Sequence, residues 1–148
     1  MEISCLRGGM NVQLIPLQSH GDSRGSLVSL ETHKNIPFDI RRVYYIFDTE
    51  KDVERGFHAH KDLKQLAIVV SGSCRFRLDD GNERISVYLD NPSQGLYIDS
   101  CIWREMYDFS EDCVLVVLAS NHYDEADYIR DYEQFKRYVN GNSSQQNN

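Results

Sequence analysis

The stretch Arg55-Gly56-Phe57-His58-Ala59-His60, followed by Gln65 and Gly72, sets two histidines two residues apart. Successive side chains on a β-strand point to opposite faces, so His58 and His60 share one face and both imidazoles enter the same interior. A lone strand histidine is usually a satisfied polar residue, whereas a same-face pair beside several arginines points to a site. Around this stretch lie short β-rich runs at 12–15, 27–30, 41–47, 65–70, 73–78, 84–89, 95–98 and 113–119. Eight such runs without intervening long helices predict an all-β sandwich or barrel and argue against a parallel α/β sheet. The breaks have their own chemistry: Asp80-Gly81-Asn82 suits a hairpin needing positive φ, Ser71-Gly72 separates two apolar runs, and Asn91-Pro92 ends a strand by removing a donor.

Residues 124–139 differ, with Ile129, Tyr132, Phe135 and Val139 at intervals of three or four, the pattern of an amphipathic helix. Gly141 is expected to close it, and the Ser/Gln/Asn tail 141–148 to be disordered because it has little apolar surface to bury. Met10 directly precedes the first strand, so a single domain over 10–140 is expected, with 1–9 a loose extension. A chain of 148 residues has no room for a second domain. Its 16 Lys and Arg against 23 Asp and Glu give a net charge of −7, which disfavours nucleic acid and anionic lipid as partners. A local arginine cluster still holds a small anion, because screening confines it to short range. The longest apolar runs are strand-sized, no secretory signal is visible, and a cytoplasmic location with no membrane span is expected. Cys5, Cys74, Cys101 and Cys113 show no C-x-x-C spacing, so neither a disulfide nor a cysteine zinc site is expected.

The spacing H-x-H, four residues, an amide, six residues, Gly resembles the first motif of the cupin superfamily. That resemblance implies a double-stranded β-helix, or jelly roll, here with a short C-terminal helix. In metal-binding cupins a glutamate stands at Gln65 and a further histidine at Arg104. A neutral amide is a weak ligand and a guanidinium cannot ligate at all, so the resemblance implies a site without metal or cofactor.

The resemblance becomes closer over 12–139. The segments 22–27 (DSRGSL), 35–38 (NIPF), 42–46 (RVYYI), 55–61 (RGFHAHK), 95–97 (GLY), 103–106 (WREM) and 118–130 are similar to the sugar 3,4-ketoisomerases acting on dTDP-4-keto-6-deoxyglucose. Membership would imply conversion of that substrate, through an enediol, to a dTDP-3-keto-6-deoxyhexose feeding a 3-amino sugar of a surface polysaccharide. It would also imply a homodimer with exchanged N-terminal strands. The resemblance assigns proton transfer to His58 and His60, without deciding which removes the C3 proton, and a sugar oxygen to the Tyr44 hydroxyl. Arg24, Arg42 and Arg55 are candidates for the pyrophosphate, with Arg24 alternatively near the hexose; Gln65 and Arg104 line the substrate, and Tyr97 and Trp103 are candidates for stacking on thymine. Glu105 and Asp108 are candidates for orienting a histidine, while His20, His33 and His122 lack paired context. Similar R-G-x-H and D-x-R-G strings occur in dTDP-sugar 3,5-epimerases, the alternative reaction, and a non-catalytic sugar-nucleotide-binding cupin is a further reading. Within the ketoisomerases, Arg at Arg104 goes with gluco products and Arg at Arg24 with galacto products, so the two indicators conflict. Arg104 tips the expectation to gluco, since arginine is a poor proton donor.

Overall fold

The computed structural model describes residues 4–5 and 10–146, with the side chains of 4–5 and 142–146 left undescribed. Most of the expected 1–9 extension, and the last two residues of the expected tail, lie outside the described residues. Among the described residues thirteen strands run β1 (Ser4–Cys5), β2 (Val12–Pro16), β3 (Ser19–Asp22), β4 (Gly25–Val28), β5 (Arg42–Ile46), β6 (Arg55–His60), β7 (Gln65–Ser71), β8 (Cys74–Asp79), β9 (Arg84–Leu89), β10 (Gln94–Ile98), β11 (Trp103–Tyr107), β12 (Val114–Ala119) and β13 (Tyr128–Ile129). A 3₁₀ turn, Glu125–Asp127, precedes β13, and helix α1 (Tyr132–Gln146) ends the described chain.

The named strands pair antiparallel in a six-stranded sheet, β1-β2-β10-β7-β12-β5, facing a five-stranded sheet, β13-β6-β11-β8-β9. The β3–β4 hairpin pairs only with itself. This is the expected all-β jelly roll of cupin type with one C-terminal helix.

Alternation explains the apolar runs. Ala67 and Val69 of β7 join the core between the sheets with Leu96, Ile98, Leu115 and Val117, whereas Leu66 and Ile68 join a second cluster with Ile15, Ile36, Phe38, Tyr97 and Leu118 on the outer face. Both faces of β7 are buried, so it reads as continuous apolar sequence rather than as alternation. A third cluster seats α1 through Phe135 against Ala59, Trp103 and Ile129.

Three expectations are corrected. The helix begins at Tyr132, not at residue 124, because Asp131 caps it by accepting from the Gln134 amide at 2.8 Å, and Ile129 belongs to β13. It also runs through Gly141 to Gln146, because that glycine does not take the positive φ of a C-cap. The run expected at 27–30 is instead the second arm of the 19–28 hairpin. Among the described residues no helix is long and apolar enough to cross a membrane.

The R-G-x-H string has a backbone cause. Pairing of β6 with β11 shifts between Arg104/His58 and Glu105/Gly56, leaving Phe57 as the extra residue of a bulge. Gly56 and Phe57 both take positive φ, 90° and 59°. A Cβ on Gly56 would lie 2.9 Å from the Arg104 carbonyl oxygen. Gly56→Ala is therefore expected to destabilise the fold by about 1–3 kcal/mol, the range for strain at such a position. Urea unfolding checks this, and an unchanged midpoint would show that the bulge tolerates a side chain.

Candidate active site

Register gathers the polar residues at one end of the barrel. Ala119 of β12 is opposite Arg42 on one side and Gln65 on the other, so a methyl group lies between the two large polar side chains in one row. On the facing sheet Arg104 is opposite His58. The other end of the interior is filled by Ile46, Val69, Cys74, Phe76, Met106, Cys113 and Leu115. His58 and His60 share the inward face as expected, their ring centroids 5.0 Å apart and nearly perpendicular at 83°.

A chain of donors runs through this end. Arg104, 2% exposed, donates from Nη1 to Gln65 Oε1 and from Nη2 to the Ile102 carbonyl at 2.9 Å. That fixes the Gln65 amide, whose Nε2 donates to the Tyr44 hydroxyl oxygen at 3.0 Å. Burial raises the Tyr44 pKa, so its phenol stays protonated, and with its oxygen already accepting from Gln65 the O–H is left to donate elsewhere. Burial lowers Arg104 to about 10, which leaves it charged at neutral pH. A fixed cation bonded to the amide oxygen of Gln65 is a donor set that does not fit the metal of metal-binding cupins.

Burial and the same charge together hold the histidines neutral. Burial, then Arg104, pushes His58 down to about 4, with the Gly56 carbonyl opposing. Burial, then Arg104, then His58, Arg42 and Arg130 push His60 down to about 2. Both imidazoles are neutral bases at pH 7. His58 Nδ1, His60 Nε2, Arg104 Nε, and Arg42 Nε and Nη2 are buried without a hydrogen-bond partner. Buried polar groups are nearly always satisfied, so these atoms are free to bond water or the oxygens of a ligand. Tyr128 lies 5.0 Å from the His58 ring and 4.4 Å from that of His60, and Arg42 stacks on Tyr44 and Tyr123.

The structure thus brings His58, His60, Tyr44, Gln65, Arg104 and Arg42 together. It does not bring Arg24, Arg55 or Tyr97 to them. The Arg24 side chain is 88% exposed beside the hairpin turn and is paired with Asp22. Arg55 is exposed at the start of β6. Tyr97 packs on Phe38 in the outer cluster and donates to Asp99, and Trp103 packs against Tyr132 and Phe135. Glu105 and Asp108 do not reach the histidines, because each is held on the outer face, Glu105 by Arg77 and Trp103 and Asp108 by Arg75. The carboxylate on a histidine is Asp127, 3.0 Å from His60 Nδ1. Helical periodicity across 124–139 hid it; the D-x-x-Q cap at Asp131 was the signal that this segment is not helix. His33 pairs with Asp39 at the surface, and His20 and His122 are exposed.

The family described as "FdtA: WxcM-like, C-terminal" matches residues 10–140. The chain is 59% identical over 118 residues to the TDP-4-oxo-6-deoxy-alpha-D-glucose-3,4-oxoisomerase of Aneurinibacillus thermoaerophilus, across 80% of this chain and 85% of that one. A 3,4-ketoisomerase from Helicobacter canadensis superposes with a TM-score of 0.86 at 48% identity, across 88% of this chain and 98% of that one. A mutant of the 3,4-ketoisomerase QdtA from Thermoanaerobacterium thermosaccharolyticum, in complex with TDP-4-keto-6-deoxyglucose, superposes at 0.87 with 46% identity, across 88% and 95%.

Histidines held neutral in the fold link stability to pH. The unfolded chain binds protons near the ordinary value of 6.5 and the folded chain only near 4 at His58, so stability is complete above about 6.5 and falls as pH drops toward 4. Calorimetry should show the Tm falling across that window in the wild type, and less steeply in His58→Asn. Parallel curves would mean that His58 does not carry the linkage.

Proposed function

The chain belongs to the FdtA family, WxcM-like, C-terminal, and is an isomerase; on that premise we propose that it is the 3,4-ketoisomerase of dTDP-4-keto-6-deoxy-D-glucose, yielding a dTDP-3-keto-6-deoxyhexose. The observation that carries this reading is the set of unpartnered nitrogens around two neutral histidines in one barrel end. Neutral imidazoles keep a lone pair free to act as a base at pH 7, and buried guanidinium and phenol donors suit the charge that develops on the sugar oxygens.

The C4 ketone acidifies the C3 hydrogen. In the proposed course, the histidine pair removes that proton, and its electron pair forms the C3–C4 double bond of an enediol whose C4 oxygen takes the charge. Return of a proton to C4, with the hydroxyl proton of O3 lost and one delivered to O4, leaves the ketone at C3 and a hydroxyl at C4; no electrons enter or leave. Tyr44, polarised through Arg104 and Gln65, donates to the developing oxyanion. Arg42 is the best-placed pyrophosphate ligand, whereas Arg55 is exposed and in register with Met106, away from the cluster. Arg24 and Tyr97 require a rearrangement, or a second subunit, to reach the substrate. The product would supply a 3-amino-3,6-dideoxyhexose of a surface polysaccharide.

We also propose a homodimer with exchanged N-terminal strands. Supporting it, the edge strand β5 and its continuation expose Val43, Tyr45 and Phe47, and Leu27 is exposed on the unsupported hairpin. An apolar unpaired sheet edge is a surface that proteins cover.

An NMR time course with dTDP-4-keto-6-deoxyglucose tests the reaction. Turnover should survive chelation, because no step uses a metal, and a strict metal requirement would overturn that part. Arg104 is inside the cluster and Arg24 outside it, which favours the gluco product. Large H3–H4 and H4–H5 couplings in the trapped 3-amino product would agree, and small ones would establish galacto. A product inverted at C3 and C5 with its C4 ketone retained would instead establish the epimerase.

His58→Asn and His60→Asn should each lower kcat by roughly 10² to 10⁴ while leaving dTDP affinity near that of the wild type. Binding by calorimetry alongside steady-state rates separates the two effects. Binding without any wild-type turnover would favour the non-catalytic reading.

A further inference from the structure

We infer that Asp127 is the positioning residue of the reaction, acting through His60 by fixing which ring nitrogen carries the proton; this rests on the ketoisomerase reading. Asp127 Oδ2 is 3.0 Å from His60 Nδ1, and Oδ1 accepts from the Asp62 amide at 2.8 Å. A carboxylate can only accept, so His60 carries its proton at Nδ1 and presents an unprotonated Nε2. That Nε2 is the buried ring atom left without a partner, at the end of the barrel that holds Tyr44, Gln65 and Arg104.

Asp127 has little freedom to do otherwise. Its backbone carbonyl accepts from the Lys61 amide at 2.9 Å, and its own amide donates to the Asp124 carbonyl at 3.1 Å. Asp124 caps the 3₁₀ turn by accepting from the Ala126 amide at 3.0 Å. The next residue, Tyr128, is in register with His60 itself. His60 is held from the other side, its carbonyl accepting from the Cys101 amide at 2.7 Å. The segment 124–129 therefore acts as a strap that delivers one carboxylate oxygen to one imidazole nitrogen.

Asp127→Asn inverts the arrangement without removing volume. The Asp62 amide still needs an acceptor, so the new amide keeps its oxygen there and turns its NH₂ toward His60 Nδ1. The ring must then accept at Nδ1 and carry its proton at Nε2, where it cannot take one from C3.

The test combines a spectroscopic and a kinetic measurement. In protein labelled with ¹⁵N-histidine, with His60 assigned by its loss in His60→Asn, the wild type should show Nδ1 protonated and Nε2 bare near neutral pH. Asp127→Asn should move the proton to Nε2 and lower kcat by roughly 10² to 10⁴ with dTDP affinity unchanged. Added to His60→Asn, it should cost no further rate, since a residue acting through His60 has nothing left to orient. A wild-type ring protonated at Nε2, a kcat for Asp127→Asn within about twofold of wild type, or losses that add in the double variant would each overturn the assignment. If Asp127→Asn does not fold, the wild-type tautomer decides. Absence of wild-type turnover would count against the ketoisomerase reading, while the tautomer, measured on the free protein, would still decide what Asp127 does to His60.

Discussion

A guanidinium charge enclosed in the end of a β-barrel is the constraint around which this molecule is arranged. Arg104 is all but inaccessible to water, and burying a cation of that kind costs on the order of several kcal/mol unless it is well bonded. Its bonds to Gln65 and to the Ile102 carbonyl meet part of that demand. The consequences reach every neighbour. The Gln65 amide has one usable orientation, the Tyr44 hydroxyl receives a donor and so offers its own proton, and both histidines are discouraged from protonation. Burial, reinforced by this one charge, thus keeps two bases neutral, and the charge directs the neutral acid beside them.

The sheets make that arrangement tolerable by dividing the interior. Inward-facing residues of β5, β6, β7 and β11 are polar at one end and apolar at the other, and antiparallel register stacks like with like. The apolar end supplies the burial that holds the sheets together, and the polar end carries unpartnered nitrogens that a self-contained core would not keep. The bulge at Gly56 and Phe57 belongs to this division, because it resets the register beside Arg104 just before the strand presents His58.

The C-terminal segment closes the barrel with a turn, a two-residue strand and then a helix. Asp79 anchors the helix by accepting from the Tyr132 hydroxyl at 2.7 Å and from Arg84 at 3.0 Å, while Phe135 packs on Trp103. With α1 docked, β13 lies along β6 and the preceding turn places Asp127 on His60. Residues remote in sequence thereby come to bear on the central histidine.

How much of this the linear chain carried depends on the range of the interaction involved. Strand periodicity, the H-x-H spacing and the turn glycines are local, and they sufficed for the barrel, for the shared face of His58 and His60 and for the positive φ at Gly81. The family resemblance also marked Tyr44, Arg42, Gln65 and Arg104, which the structure gathers at one end. It could not separate these from Arg24, Arg55 and Tyr97, because whether a strand residue faces the interior, the rim or the outer cluster depends on register with strands far away in sequence. The same limit hid Asp127, 67 residues from its partner, inside a segment whose apolar spacing imitates a helix. Local pattern determined which residue types the barrel would present; tertiary register alone decided which of them meet, because a hydrogen bond across a barrel is set by the packing of two sheets and not by the spacing of either strand.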